Sequence, residues 1–131
     1  MHVTRDIQEC HYRPVGPATK NRGKKAMDFN DVVARSVSIR RRYHELERQY
    51  HGTEWSIEED ALAFLTDAGL VGRFTMAQQG RWPADEEPVP ELEHKLGECI
   101  WWLINLAERM NIDSAAALEK FLSKTEHNLR D

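Results

Sequence analysis

Leu92–Met110, LEHKLGECIWWLINLAERM, decides the fold class. Leu92, Leu96, Cys99, Ile100, Leu103, Leu106, Ala107 and Met110 recur at steps of three and four, which puts them on one broad face of an α-helix. Within that helix the run CIWWLI, Cys99–Ile104, is apolar all round. Such a helix has to be covered all round, and a small bundle has too few helices to enclose it, so a contact between subunits is expected.

Upstream, GRWPADEEPVP (Gly80–Pro90) reads as a loop, because Gly80, Pro83, Pro88 and Pro90 rule out regular structure. Pro90 suits the first position of the helix that follows. The preceding segment predicts a helix from about Ile57 to about Gln79, opened by a capping box of Ser56 and Glu59. Its expected buried or close-packed positions are Leu62, Leu65, Gly69, Phe74 and Met76. Gly69 and Gly72 each weaken a helix by about 1 kcal/mol relative to alanine, a cost that implies close approach of another helix. Farther upstream, Val32, Ser36, Ile39, Tyr43, Leu46 and Tyr50 recur at four, three, four, three and four, one face of a long amphipathic helix starting at Asp28 and interrupted at Gly52. At the other end Asp113 or Ser114 caps a fourth helix with Leu118, Phe121, Leu122, Thr125 and Leu129 on its inner face. The sequence therefore predicts an all-α bundle of about four helices over residues 27–131, preceded by a flexible leader, 1–26, that holds Pro14, Gly16, Pro17 and Gly23 without any sustained period.

A chain of 131 residues is enough for one domain with a modest core. Its 40% apolar and 31% charged residues are ordinary for a water-soluble protein. No apolar run approaches the roughly 18 to 20 residues of a membrane span, and MHVTRDIQEC lacks the apolar centre of a signal peptide, so a cytoplasmic location is expected. Cys10 and Cys99 are single and far apart, which argues against a disulfide framework or a cysteine zinc site. Charge is uneven: residues 1–50 hold 11 basic and 6 acidic side chains, residues 51–131 hold 7 and 16. Arg40, Arg41 and Arg42 are consecutive and so splay around their helix, which favours a solvated or subunit-contacting face over nucleic-acid binding.

Two acids carry the functional reading. Asp67 lies near the middle of the second helix and Glu98 near the middle of the third. Acids on facing helices can hold a divalent cation that in turn holds phosphate, and magnesium takes oxygen ligands in octahedral geometry while keeping several waters.

From about Phe29 to Arg130 the chain resembles the MazG-like branch of the all-α nucleoside triphosphate pyrophosphohydrolases. The resemblance rests on TEWSIEEDALAFLTDAGLVGRF, on the loop that follows, and on ELEHKLGECIWWLINLAERMNID with its last amphipathic helix. Family members carry an acidic box on each of two helices, E-E-x-x-E or D-V-G-D/E-L on the first and E-x-x-D on the second. Here Asp67 takes an acidic position of the first box, while Thr66 and Leu70 stand where other acids are usual. Lys95 replaces the glutamate of the second box and Glu98 its aspartate. Two carboxylates remain of about four.

The resemblance implies magnesium or manganese held by Asp67 and Glu98, which would also be the catalytic residues, and an activated water that splits a nucleotide into a nucleoside monophosphate and pyrophosphate. It implies a homo-oligomer, dimer or tetramer. Lys95 bears on all of this, since its ammonium is expected between Asp67 and Glu98, neutralising them without offering a ligand. Asp60 is seven residues before Asp67, about 10.5 Å along the axis and too far to share one ion. Glu58, Glu59 and Asp60 read as favourable charges at a helix start, and Asp85, Glu86 and Glu87 as a solvated run. His94, four residues before Glu98, is a substrate-binding candidate, as are Lys95 and Trp82, the latter by stacking on a base; Trp101 and Trp102 read as packing residues. Arg73 and Lys124 read as surface residues. Two functions follow: a metal-dependent pyrophosphohydrolase with a reduced acidic site, or a non-catalytic relative that binds a nucleotide or a protein.

Overall fold

The computed structural model describes residues 26–83 and 87–130. The expected leader, except Ala26, lies outside the described residues, as do Cys10, Asp85 and Glu86. Four helices follow one another: α1 (Phe29–His51), α2 (Ile57–Gln78), α3 (Val89–Arg109) and α4 (Ser114–Asn128). No strand occurs among the described residues.

Local chemistry sets the helix ends. The Asp28 carboxylate accepts the Asp31 N–H at 2.8 Å and opens α1. Gly52, at φ 80°, closes it in a left-handed conformation that a side chain would strain. Ser56 and Glu59 form both halves of the predicted capping box. Asp113, rather than Ser114, caps α4 through the Ala116 N–H at 2.9 Å. The third helix starts one residue earlier than expected, so Pro90 occupies its second position.

α3 is the central element, packing most extensively on α2, less on α1 and least on α4. The buried large apolar side chains among the described residues, Trp102, Ile104 and Leu106, all belong to it. The rest of the interior is polar: Ser36, Arg40, Glu47, Asp60, Asp67 and Asn105 are buried.

That interior corrects the predicted faces. Of the α1 stripe only Ser36 is buried. In α2, Leu62, Leu65, Gly69 and Met76 are exposed, Leu65 by 65%, and Phe74 is half-buried. Beyond their own helix, no atom of the described residues comes within 4 Å of where a Cβ on Gly69 or Gly72 would stand, so no described helix approaches them closely. In α4, Leu118, Phe121, Leu122 and Leu129 are exposed. The helical periods are as read, but pairing of charged side chains decides which face turns inward.

Arg40 makes the main pairing. Its guanidinium donates to Glu47 at 2.6 and 3.3 Å and to Asp60 at 2.6 and 3.3 Å. Asp60, 0% exposed, also accepts from Arg109 at 2.8 Å, so one carboxylate ties α1, α2 and α3 together. Glu47 accepts the Trp55 N–H at 2.8 Å and Arg109 donates to the Trp55 carbonyl at 3.0 Å, which fixes the α1–α2 connection to the same cluster. Removing one member leaves a buried charge uncompensated, at a cost of about 3–5 kcal/mol. Asp60→Ala should lose that much stability in urea melts, whereas Glu58→Ala, on the exposed start of the same helix, should change it by less than about 0.5 kcal/mol.

Candidate functional site

Asp67, buried on α2, faces one side of α3. Lys95 and Glu98 lie three residues apart on α3 and so share a side of it, with Trp102 one turn further along. The Lys95 ammonium donates to Asp67 Oδ1 at 3.0 Å and to Glu98 Oε2 at 2.8 Å. Trp102 Nε1 donates to the other Asp67 oxygen at 2.8 Å. Lys95 therefore bridges the two acids, and both oxygens of Asp67 are engaged.

The electrostatics follow from these contacts. Burial opposes ionisation of Asp67, but hydrogen bonds from Lys95 and Trp102 outweigh it and hold the carboxyl below the usual carboxylate range. Hydrogen bonds to Glu98 and Asp67 raise Lys95 above the ordinary lysine range, so it is an ammonium at neutral pH. Burial, then the charges of Asp67 and Glu98, push the neighbouring Cys99 thiol up, which favours its neutral form.

The residues present do not fit a divalent cation. Magnesium needs about six oxygen ligands, and here two carboxylates converge on an ammonium of the chain itself. Among the described residues no group of three or more His, Cys, Asp or Glu side chains could hold a metal ion. Thr66, at an expected acidic position, spends its hydroxyl on the Leu62 carbonyl at 3.0 Å.

The remaining candidates are scattered. His94 is largely exposed, its Nε2 3.5 Å from Glu98 Oε2. Trp82 has the Arg73 guanidinium 3.9 Å above its ring, so an internal cation covers a face offered to a base. Glu58, Glu59 and Glu87 are exposed. Sequence reasoning missed the Arg40–Glu47–Asp60–Arg109 cluster, although Arg40 and Glu47 are seven apart and thus on one face of α1.

A groove of about 950 Å³ runs between α1 and α3. Its apolar lining includes Ile39, Tyr43, Leu46, Trp55 and Trp101, and Glu93, Glu98 and His94 stand on its α3 side. Arg40, the arginine in its wall, is already paired with Glu47 and Asp60. A triphosphate entering here would meet carboxylates.

Comparison with protein-family models, curated proteins and solved structures finds no match to the chain. No described helix is long and apolar enough to cross a membrane. What stands, among the described residues, is an all-α arrangement of four helices packed against one another.

Asp67 and Glu47 are both held below the ordinary carboxylate range, Glu47 against burial by Arg40 and the Trp55 N–H. The stability that their ionised forms contribute is therefore complete above the unfolded value and lost as the pH falls through the folded one. The melting temperature should be level around neutrality and decline below about pH 4, less steeply in Asp67→Asn. Lys95→Met, which leaves two acids without their cation, should cost about 1–3 kcal/mol at pH 7 by denaturant melts.

Proposed function

We propose that the chain is a MazG-like protein that has given up hydrolysis and works as an interaction module. Lys95 carries this reading, because its ammonium lies 3.0 Å from Asp67 and 2.8 Å from Glu98, where the hydrolase reading requires a metal. An ammonium offsets one of the two negative charges but supplies no open coordination position and cannot acidify a water. The groove supports a protein partner over a nucleotide: its lining is largely aromatic and aliphatic, and its polar margin on α3 is acidic.

The metal-dependent pyrophosphohydrolase remains the second reading, favoured by the convergence of Asp67 and Glu98 on one cation position. It requires Lys95 to leave that position. One assay separates the two: pyrophosphate release from common and modified nucleoside triphosphates with magnesium or manganese, in the wild type, Asp67→Ala and Lys95→Ala. No release above background from any of the three is expected. Metal-dependent release by the wild type that disappears in Asp67→Ala would sink the interaction reading. As a companion measurement, manganese should leave the wild-type melting temperature unchanged and raise that of Lys95→Glu, in which three carboxylates would converge.

A further inference from the structure

We infer that the α1–α3 groove receives an arginine presented by a partner protein, its guanidinium seated over Gly97 against the ring of Trp101 and paired with Glu98. This rests on the chain working as an interaction module and specifies what the module holds.

The seat is formed by α3. Glu93, Gly97 and Trp101 follow one another at steps of four and so make one row along the groove, with Glu98 beside Gly97. Beyond its own helix, nothing among the described residues lies within 4 Å of where a Cβ on Gly97 would stand. The row therefore has a gap, with an acid on one side of it and an aromatic ring on the other. That ring is fixed: the Trp101 indole N–H donates to the Ser36 carbonyl at 3.2 Å, and Tyr43 packs edge-on against it at 5.9 Å. Tyr43 and Trp55, 52% and 38% exposed, extend the aromatic wall.

Charge and ring chemistry select the occupant. Lys95 donates to Glu98 Oε2 and offsets only one of the two charges of Asp67 and Glu98, while Glu98 Oε1 accepts no hydrogen bond among the described residues. Glu93 has no ion-pair partner among them. The arginine in the wall, Arg40, is committed to Glu47 and Asp60. The α3 side thus keeps an excess of acid next to aromatic rings. Elsewhere the chain covers such rings with its own arginines: Arg73 lies over Trp82 at 3.9 Å and Arg40 over Trp102 at 5.5 Å. Among the described residues no cation covers Tyr43, Tyr50, Trp55 or Trp101. A guanidinium meets both demands, since its flat face stacks on a ring while its edge donates to a carboxylate. The rest of the groove requires that the arginine arrive on a protein. Along α1 it runs from Ile39 to His51, about 18 Å, and Ile39 and Leu46, nearly half exposed, would stay in water beside a small cation. A partner protein covers them with apolar side chains that flank the arginine.

The test is fluorescence anisotropy of a labelled synthetic peptide of arginine and leucine, its leucines at helical spacing, titrated with the full chain, each variant's fold being checked by circular dichroism. The wild type should bind it. Gly97→Leu, which fills the seat and favours the helix, should weaken binding about tenfold. Tyr43→Ala should weaken it about fivefold and Glu93→Gln about threefold, whereas Glu58→Gln, which removes the same charge at the exposed start of α2, should change nothing. Lysine in place of arginine in the peptide should weaken binding to the wild type but not to Gly97→Leu. A wild type that takes up no peptide would overturn the assignment. So would equal losses in Glu93→Gln and Glu58→Gln, an unaffected Gly97→Leu, or displacement by free arginine amide at the peptide's own concentration, which marks a site for small cations. Uptake that falls as the chain self-associates, or that needs Lys20, Arg22, Lys24 and Lys25 changed to glutamate, would overturn it too, because the chain itself would then fill the groove. Any of these in a chain that releases no pyrophosphate removes the arginine alone, whereas metal-dependent pyrophosphate release removes the interaction module.

Discussion

The fold depends on one guanidinium. Arg40 enters the interior from α1 and is neutralised there by Glu47 of its own helix and Asp60 of α2, with Arg109 of α3 completing a balanced set of two cations and two anions. Burial lowers the proton affinity of Arg40, but its hydrogen bonds to Asp60 and Glu47 more than compensate and keep it charged. Because a buried charge is tolerable only beside its partner, the rotation of α1 and the placement of α2 and α3 around it are fixed together. Burial of Trp102, Ile104 and Leu106 on α3 then adds to a geometry already specified by charge, and the apolar stripes of the other helices, like Leu96, Ile100, Leu103 and Met110 of α3 itself, are left facing outward.

The bridge at Lys95 repeats that logic at a second place. A cation holds acids from two helices, and in both clusters the cation belongs to the chain. An arginine with a flat fork, 4% exposed, serves the cluster at Asp60, and a lysine with a point charge, 19% exposed, serves the one at Asp67. In the hydrolase reading a metal would perform the second task and bring reactivity with it. With lysine in that position one of the two negative charges at the joint between α2 and α3 is offset without added ions.

Much of the architecture was legible in the sequence. Helix periods, the Ser56–Glu59 capping box, the Gly52 stop and the proline-rich loop gave four helices with ends accurate to about one residue, because these signals are local. The expected position of Lys95 followed from a three-residue spacing and a facing helix. The inner faces were not legible. Periodicity reports that Leu62, Leu65 and Met76 share a side of α2, but whether that side turns inward depends on Asp60 finding Arg40 twenty residues earlier and Arg109 forty-nine residues later. Such pairings are non-local, and a carboxylate at a helix start has an ordinary local explanation that conceals them.

Trp102 has a consequence that concerns light. Its indole N–H is bonded to Asp67, its ring lies under the Arg40 guanidinium at 5.5 Å, and Trp101 stands edge-on to it at 4.7 Å. One chromophore thus touches both charge clusters. Protonation of Asp67, displacement of Lys95 or rotation of Arg40 changes the electric field across the indole. The protein carries its own internal voltmeter, readable in the emission and near-ultraviolet dichroism of a native side chain without any label.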